Sequence, residues 1–307
     1  MVRIREEEQV RWHRHGWNTA GVVSLARWGV NHFPRALSDF IGHVGSWLAF
    51  RTMKAETAAL VANQRVVAPG LGERELRALA LRTYRSYATE HADFFRSLSM
   101  PRKELASMLS PLSAFNPVCA NGRGAILVTG HIGNMELGGV LIRALLDLPL
   151  TAVVLPEPDP GVHALRLEIR AAFGIESLEV RGAIDTALRI RRQLAENRVV
   201  AVVADRALGR DRVEVEFFGR PTGFLRSPAL MAYVTGAPLV PSFILRQEDG
   251  RYAGFASDPI EVTQTGDRDA ALQTAMQSFA RVLEGHVRAY PHLWYQFYPY
   301  WDSAAGS

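Results

Sequence analysis

His131 is the residue of this chain best placed to move a proton. It stands in the run Thr129-Gly130-His131-Ile132-Gly133-Asn134-Met135-Glu136, so a carboxylate follows it after four intervening residues. The unperturbed pKa of histidine lies nearest neutrality, so it can take a proton from a hydroxyl and later return it. A carboxylate beside the ring would hold one tautomer and raise its basicity. In acyl transfer from a thioester to an alcohol, the substrate's own hydroxyl would be the nucleophile and the imidazole its base. Glu136 falls in the first turn of the expected helix, where the helix dipole favours an acid. The spacing therefore also fits a plain helix-start role.

A strand has to deliver that imidazole. The apolar run Ala125-Ile126-Leu127-Val128 reads as a buried strand, and Leu137-Gly138-Gly139-Val140-Leu141-Ile142 continues as a helix opening near Gly133 and Asn134. This layout sets the histidine at the carboxyl end of a strand, where open α/β sheets keep their sites. Strands are predicted at 125–129, 151–155, 178–180 and 199–204, with helices ending at 146 and spanning 162–173 and 184–196. Such alternation predicts a mostly parallel central sheet flanked by helices, an α/β fold. Strands at 213–217, 239–245 and 252–256, with 260–262, are expected to extend that sheet, and 269–289 to form a last amphipathic helix. Upstream, 73–98 reads as a long helix whose aromatics are core, a shorter helix begins at Pro101, and 110–121 is a linker. Residues 1–120 are thus an N-terminal helical region and 121–307 the α/β core, together one continuous domain.

Further residues could serve the same chemistry. The apolar strand before Asp205-Arg206 would bring both to the sheet edge that carries His131. Arg206 can clamp a phosphate, or can be a surface ion pair. Phe217, Phe218, Gly219 and Thr222 could line an acyl or acceptor pocket, or one ring could simply be core. Arg226 precedes Ser227 and a helix whose amide end can hold an anion.

The segment 130–136 resembles the histidine motif of the glycerolipid and lipid A acyltransferase superfamily. It is most similar to the bacterial branch holding lipid A late acyltransferases and mycobacterial phosphatidylinositol-mannoside acyltransferases. Four further blocks match in order: 197–206, 213–222, 227–241 and the aromatic tail 290–298. The resemblance implies a lipid-acting O-acyltransferase with His131 as general base and Gly133 and Asn134 in the substrate site. It makes Asp205 the partner of the imidazole, whereas spacing alone suggests Glu136. The expected arrangement is Asp205 as direct partner and Glu136 as helix-start support. No cofactor is implied; acyl-CoA or acyl carrier protein would be a co-substrate, and a lipid or glycolipid the acceptor.

The chain departs from the pattern in two places. Ala207 stands where family members often carry a second acid, and Pro156-Glu157-Pro158-Asp159-Pro160 replaces an arginine found in many. An acidic loop there should hold an anionic ligand less well. Two other classes compete. A hydrolase would need a protein nucleophile, and no Gly-x-Ser-x-Gly elbow is present. A non-catalytic lipid- or acyl-carrier-binding relative is the third.

Composition narrows the partners. With 35 basic and 31 acidic residues the net charge is only +4, and no nucleic-acid motif is present. The single Cys119 excludes an intramolecular disulfide framework and suits a reducing compartment as an inert thiol. The charged start lacks the apolar core of a signal peptide, and no stretch reaches about 18 uninterrupted apolar residues. The segment 37–50, with Trp47 and flanked by Arg51 and Lys54, has the spacing of an interfacial helix. The terminal Trp294, Tyr295, Phe297, Tyr298, Tyr300 and Trp301 resemble an interfacial belt or cap the sheet. The expected location is the cytoplasmic face of the bacterial inner membrane, as a peripheral protein.

Overall fold

The structure, a computed structural model, describes residues 19–109, 122–264 and 266–301. The charged start, the linker 110–121 and Cys119 lie outside them. Five helices come first: α1 (Ala20–His32), α2 (Arg35–Thr52), α3 (Lys54–Val67), α4 (Glu73–Ser97) and α5 (Arg102–Ser107). The alternating part follows: β1 (Ala125–Thr129), α6 (Met135–Leu146), β2 (Leu150–Val154), α7 (Pro160–Ala172), β3 (Glu176–Glu179), α8 (Ala183–Ala195) and β4 (Val199–Val203). The chain ends with β5 (Val213–Phe217), β6 (Arg220–Phe224), α9 (Ser227–Thr235), β7 (Leu239–Arg246), β8 (Tyr252–Ala256) and α10 (Arg268–Ala289).

The central sheet runs β3-β2-β4-β1-β7-β8, with every neighbouring pair parallel except the antiparallel β7–β8. The central strands β1 and β4 read Ala-Ile-Leu-Val-Thr and Val-Val-Ala-Val-Val, apolar almost throughout, because both of their faces are covered. Period-two alternation divides β1 between two cores. Ile126 and Val128 join Phe217, Phe224, Phe279 and Trp294 on one side; Ala125 and Leu127 join Phe94, Leu141, Leu165 and Ile169 on the other. A third cluster, with Leu60, Leu76, Tyr84 and Phe297, ties the N-terminal helices to the C-terminal aromatic tail. That tail is a packed cap, since Trp294, Tyr295, Tyr300 and Trp301 are all buried.

Two expectations are corrected. The strand 213–217 does not extend the central sheet; it pairs with β6 in a separate two-stranded hairpin. Its connection is Phe218-Gly219, both at positive φ (54° and 69°), the left-handed pair that a tight two-residue hairpin turn requires. The segment 260–262 contributes only an isolated bridge between Ile260 and Leu239.

Between β1 and α6 the chain turns sharply. Gly133 has φ +64°, and a Cβ there would come within 2.3 Å of the Ile244 carbonyl oxygen. Its N–H donates to Leu293 O at 2.9 Å and the next N–H to Ile244 O at 3.0 Å, so the turn is bolted to β7 and the tail. Asn134 is the N-cap, its side-chain oxygen accepting from Leu137 N at 3.1 Å. Two glycines in this region should therefore respond in opposite ways. Gly133→Ala adds positive-φ strain and a backbone clash, and should cost at least about 2 kcal/mol. Gly139→Ala meets only ordinary contacts at 3.5 Å, and should stabilise helix α6 by up to about 1 kcal/mol. Thermal or denaturant unfolding of the two variants checks the pair; equal effects would contradict this account of the turn.

Candidate active site

Parallel pairing of β1 with β4 matches Thr129 with Val203, and both chains continue two residues further to His131 and Asp205. The two side chains meet there. His131 Nδ1 lies 2.5 Å from Asp205 Oδ1, and the His131 backbone N–H donates to Asp205 Oδ2 at 2.9 Å. Gln296 Nε2 donates to the same Oδ2 at 3.0 Å, and Tyr300 OH donates to the Asp205 backbone carbonyl at 2.5 Å. Asp205 is fully buried. Burial pushes its carboxyl pKa up, but the attraction of His131 and the hydrogen bonds outweigh that and hold it below the usual carboxylate range. Three donors on one carboxylate, each contributing about 1.5–3 kcal/mol as charge-assisted bonds, are of the size needed to offset desolvation. With the proton of Nδ1 directed at the carboxylate, the ring keeps a lone pair on Nε2.

Glu136 does not touch His131 in a hydrogen bond or ion pair. It receives Arg170 of α7 through two bonds, Nε to Oε2 at 3.0 Å and Nη2 to Oε1 at 2.5 Å, with Arg166 Nη1 at 3.4 Å. Burial raises its pKa, but Arg170 and then Arg166 overcome this, and the net shift is downward. Arg166 also pairs with Glu157 at 3.1 Å. Glu157 of the acidic loop is therefore answered by an arginine of α7. The loop's other acid, Asp159, caps α7 by accepting from Gly161 N and Val162 N, and also receives Ala20 N of α1 at 2.8 Å.

Beside the histidine lies a cavity of about 610 Å³, within the range of small-molecule sites. Phe94, Val153, Leu155, Leu165, Leu230 and Met231 give it an apolar wall. His131, Gly133, Asn134, Glu136, Arg206 and Arg226 also line it. Asn134 has its amide engaged: beyond the cap, its Nδ2 donates to Glu90 O at 2.7 Å. Arg206 donates to Gln296 Oε1 at 2.7 and 3.2 Å and to Tyr295 O, and stands over the Tyr298 ring. Gln296 thus links Arg206 to Asp205. Arg226 Nη2 pairs with Asp269 at 2.7 Å, and the amide end of α9 is filled by Asp211, which accepts from Arg226 N and Ser227 N.

The hairpin residues do something different from what the sequence suggested. Phe217 is wholly buried among Phe224, Trp294, Tyr300 and Trp301. Phe218 and Gly219 form the turn, and Thr222 is buried with its hydroxyl bonded to Arg220 O. None of these four is among the described residues that line the cavity. Conversely, Glu90, His91, Arg166 and Arg170 line it, and Gln296 reaches Asp205, without having been singled out. Arg166 and Arg170 carried a usable signal, being four apart on one helix face just after an acidic loop. The others sit in patterns that read simply as core.

A sequence profile for bacterial lipid A biosynthesis acyltransferases matches residues 8–303. The phosphatidylinositol mannoside acyltransferase of Mycobacterium tuberculosis (strain CDC 1551 / Oshkosh) is 30% identical over 221 residues, covering 70% of this chain and 68% of that protein. The protein of the same name from Mycolicibacterium smegmatis is 30% identical over 219 residues, covering 70% of each chain.

The lowered pKa values of Asp205 and Glu136 set a direction for pH. Each folded value lies below the unfolded one, so each carboxylate stabilises the fold above roughly pH 4 and loses that contribution as pH falls through its folded value. Glu136→Gln should lower stability at pH 7 by about 1.5–3 kcal/mol, and should flatten the decline between neutral pH and pH 3. Urea unfolding at both pH values measures this; unchanged stability at pH 7 would mean that the arginine pair does not depend on Glu136.

Proposed function

Because the chain belongs to the bacterial lipid A biosynthesis acyltransferase family, we propose that it moves a fatty acyl chain from a thioester to a hydroxyl of a lipid or glycolipid. The contact between His131 and Asp205 at the wall of an apolar cavity carries this reading. His131 Nε2 removes the acceptor's hydroxyl proton as the oxygen attacks the thioester carbonyl carbon. The tetrahedral intermediate then collapses, the C–S bond breaks, and the imidazolium returns its proton to the leaving thiolate. Asp205 keeps the ring in the tautomer that leaves Nε2 basic, and stabilises the imidazolium. Glu136 positions Arg170 and Arg166 at the cavity. The apolar wall suits the acyl chain, and Arg181, Arg210 and Arg226 suit phosphate groups of coenzyme A, of acyl carrier protein's prosthetic arm, or of the acceptor. The name of the mycobacterial relatives supports a phosphorylated glycolipid as acceptor class.

The acceptor would lie in a bilayer, so the cavity has to open at a membrane boundary. Helix α1 lines the cavity through Val23 while exposing Val22, Leu25 and Trp28. Leu37, Phe40, Ile41, Val44, Trp47 and Leu48 continue that apolar surface on α2. Arg51, over the Trp47 ring at 5.2 Å, adds a cation at its edge. Among the described residues no helix is long and apolar enough to cross a membrane. The reading is of a peripheral enzyme docked by α1 and α2 on the cytoplasmic face of the inner membrane, where acyl thioesters are made. Phe50 is excluded from that surface, because it packs against Tyr84 and the third core cluster.

Incubating the purified protein with palmitoyl-coenzyme A or palmitoyl acyl carrier protein and total bacterial membrane lipid, followed by mass spectrometry, should yield an acylated lipid. His131→Ala and Asp205→Asn should each lower turnover by about two to four orders of magnitude with the fold retained. Near-normal turnover in either would remove that residue from the mechanism.

Docking is tested separately. Phe40→Glu with Trp47→Glu alters two side chains that are 64% and 44% exposed, and should weaken flotation with anionic vesicles. Activity should fall more on vesicle-borne than on detergent-dispersed lipid. Unchanged flotation would place the docking surface elsewhere.

A further inference from the structure

Glu90 lies in the last two turns of α4 and is only 2% exposed. It grips the His131 turn at two points. Its backbone carbonyl accepts from Asn134 Nδ2 at 2.7 Å, and Asn134 caps the helix that begins just after the turn. Its side-chain Oε2 accepts from Tyr295 OH at 2.6 Å, and the Tyr295 backbone N–H donates to the His131 carbonyl at 2.9 Å. The residue after Tyr295 is Gln296, which holds Asp205. One side chain of the N-terminal helical region therefore braces the tail segment that supports both members of the pair. We infer that Glu90 is a positioning residue, holding Tyr295 and through it the His131–Asp205 geometry; this rests on the reading of His131 as the base.

The second carboxyl oxygen of Glu90, Oε1, is buried and takes no hydrogen bond among the described residues. A buried carboxylate needs several donors, and Glu90 has one. Its charged and titratable neighbours do not supply the rest. Asp93, one turn on in α4, is fully buried and negative. Asp93 is answered by Arg35 Nη2 at 3.0 Å and Arg96 Nη1 at 3.2 Å, with Arg246 Nε of β7 at 3.9 Å, and Tyr252 of β8 donates to it at 2.9 Å. His91 beside it is held neutral, its pKa pushed down to about 4 by burial. Burial pushes the Glu90 carboxyl up to about 8; the Tyr295 bond opposes this, Asp93 adds to it and Arg246 opposes it. Glu90 thus works as a neutral acid. Above that pH it becomes a buried charge with one donor, and the brace loosens.

The folded pKa lies above the unfolded value, so the neutral acid's contribution is complete below the unfolded pKa. It is lost as pH rises through about 8. Glu90→Gln keeps an acceptor for Tyr295 OH and cannot ionise. It should retain turnover at pH 7 in the palmitoyl thioester assay. It should also lack the decline in turnover that the unsubstituted protein shows between pH 7 and 9, and the decline in melting temperature that it shows between about pH 5 and 8. Glu90→Leu removes the acceptor and should lower kcat by about a hundredfold, with the donor KM unchanged, as expected for misplacement of a base. The same alkaline decline in Glu90→Gln, or full kcat in Glu90→Leu, would overturn the inference. If the leucine variant does not fold, melting temperature against pH for the glutamine variant still decides it. If His131→Ala keeps its turnover while Glu90→Gln flattens the melting profile, the base assignment fails and the brace stands.

Discussion

Parallel registry between β1 and β4 is the constraint on which the site depends. The offset of paired residues is constant along the two strands, and carried two residues beyond the last pair it places His131 opposite Asp205. Side chains more than seventy positions apart become neighbours through backbone hydrogen bonds, with no dedicated contact needed to bring them close. A one-residue slip would reverse the faces of an entire strand and bury Asp205 without its partner. The apolar residues on both faces of β1 and β4, each contributing about 1.5–3 kcal/mol on burial, oppose such a slip.

The site brings charge into a largely apolar wall and satisfies it in two separate circuits. One runs Arg206, Gln296, Asp205 and His131. The other runs Arg170, Glu136, Arg166 and Glu157. The first holds the imidazole by one ring nitrogen against a buried carboxylate. The second fixes guanidinium groups at the cavity, because each carboxylate in it is answered by an arginine that does not titrate. The motif histidine and the motif glutamate, five positions apart, thus belong to different machinery. Their helix-turn geometry points one to the strand end and the other along α6 towards α7.

The C-terminal tail joins these parts. Tyr295 donates to the His131 carbonyl, Gln296 holds Asp205, and Asn63 of α3 binds the carbonyls of Gln296 and Tyr298. Its aromatic rings are a core lid, and its amides are ties between the N-terminal helices and the sheet edge. The apolar exposed faces of α1 and α2 stand outside that packing, which is why they remain available as a surface.

The sequence by itself determined the elements whose physics is local. The apolar β1 and β4 segments, the glycine turn before α6, the alternation that makes a parallel sheet and the histidine at a strand end all follow from periodicity and turn chemistry. Asp205 was legible as the partner through the resemblance, and the exposed face of α2 through its spacing. Residues 213–222 misled, because alternation identifies a strand without saying which sheet it joins; Phe217 consequently read as a site residue although it is core. Glu90, His91 and Gln296 were hidden for a related reason. Polar residues inside amphipathic or aromatic runs look the same whether they face solvent or a cavity, and only the packing of α4 and the tail against the His131 turn assigned them. Local pattern sets which face a residue occupies, but what lies opposite that face is decided by contacts between distant parts of the chain.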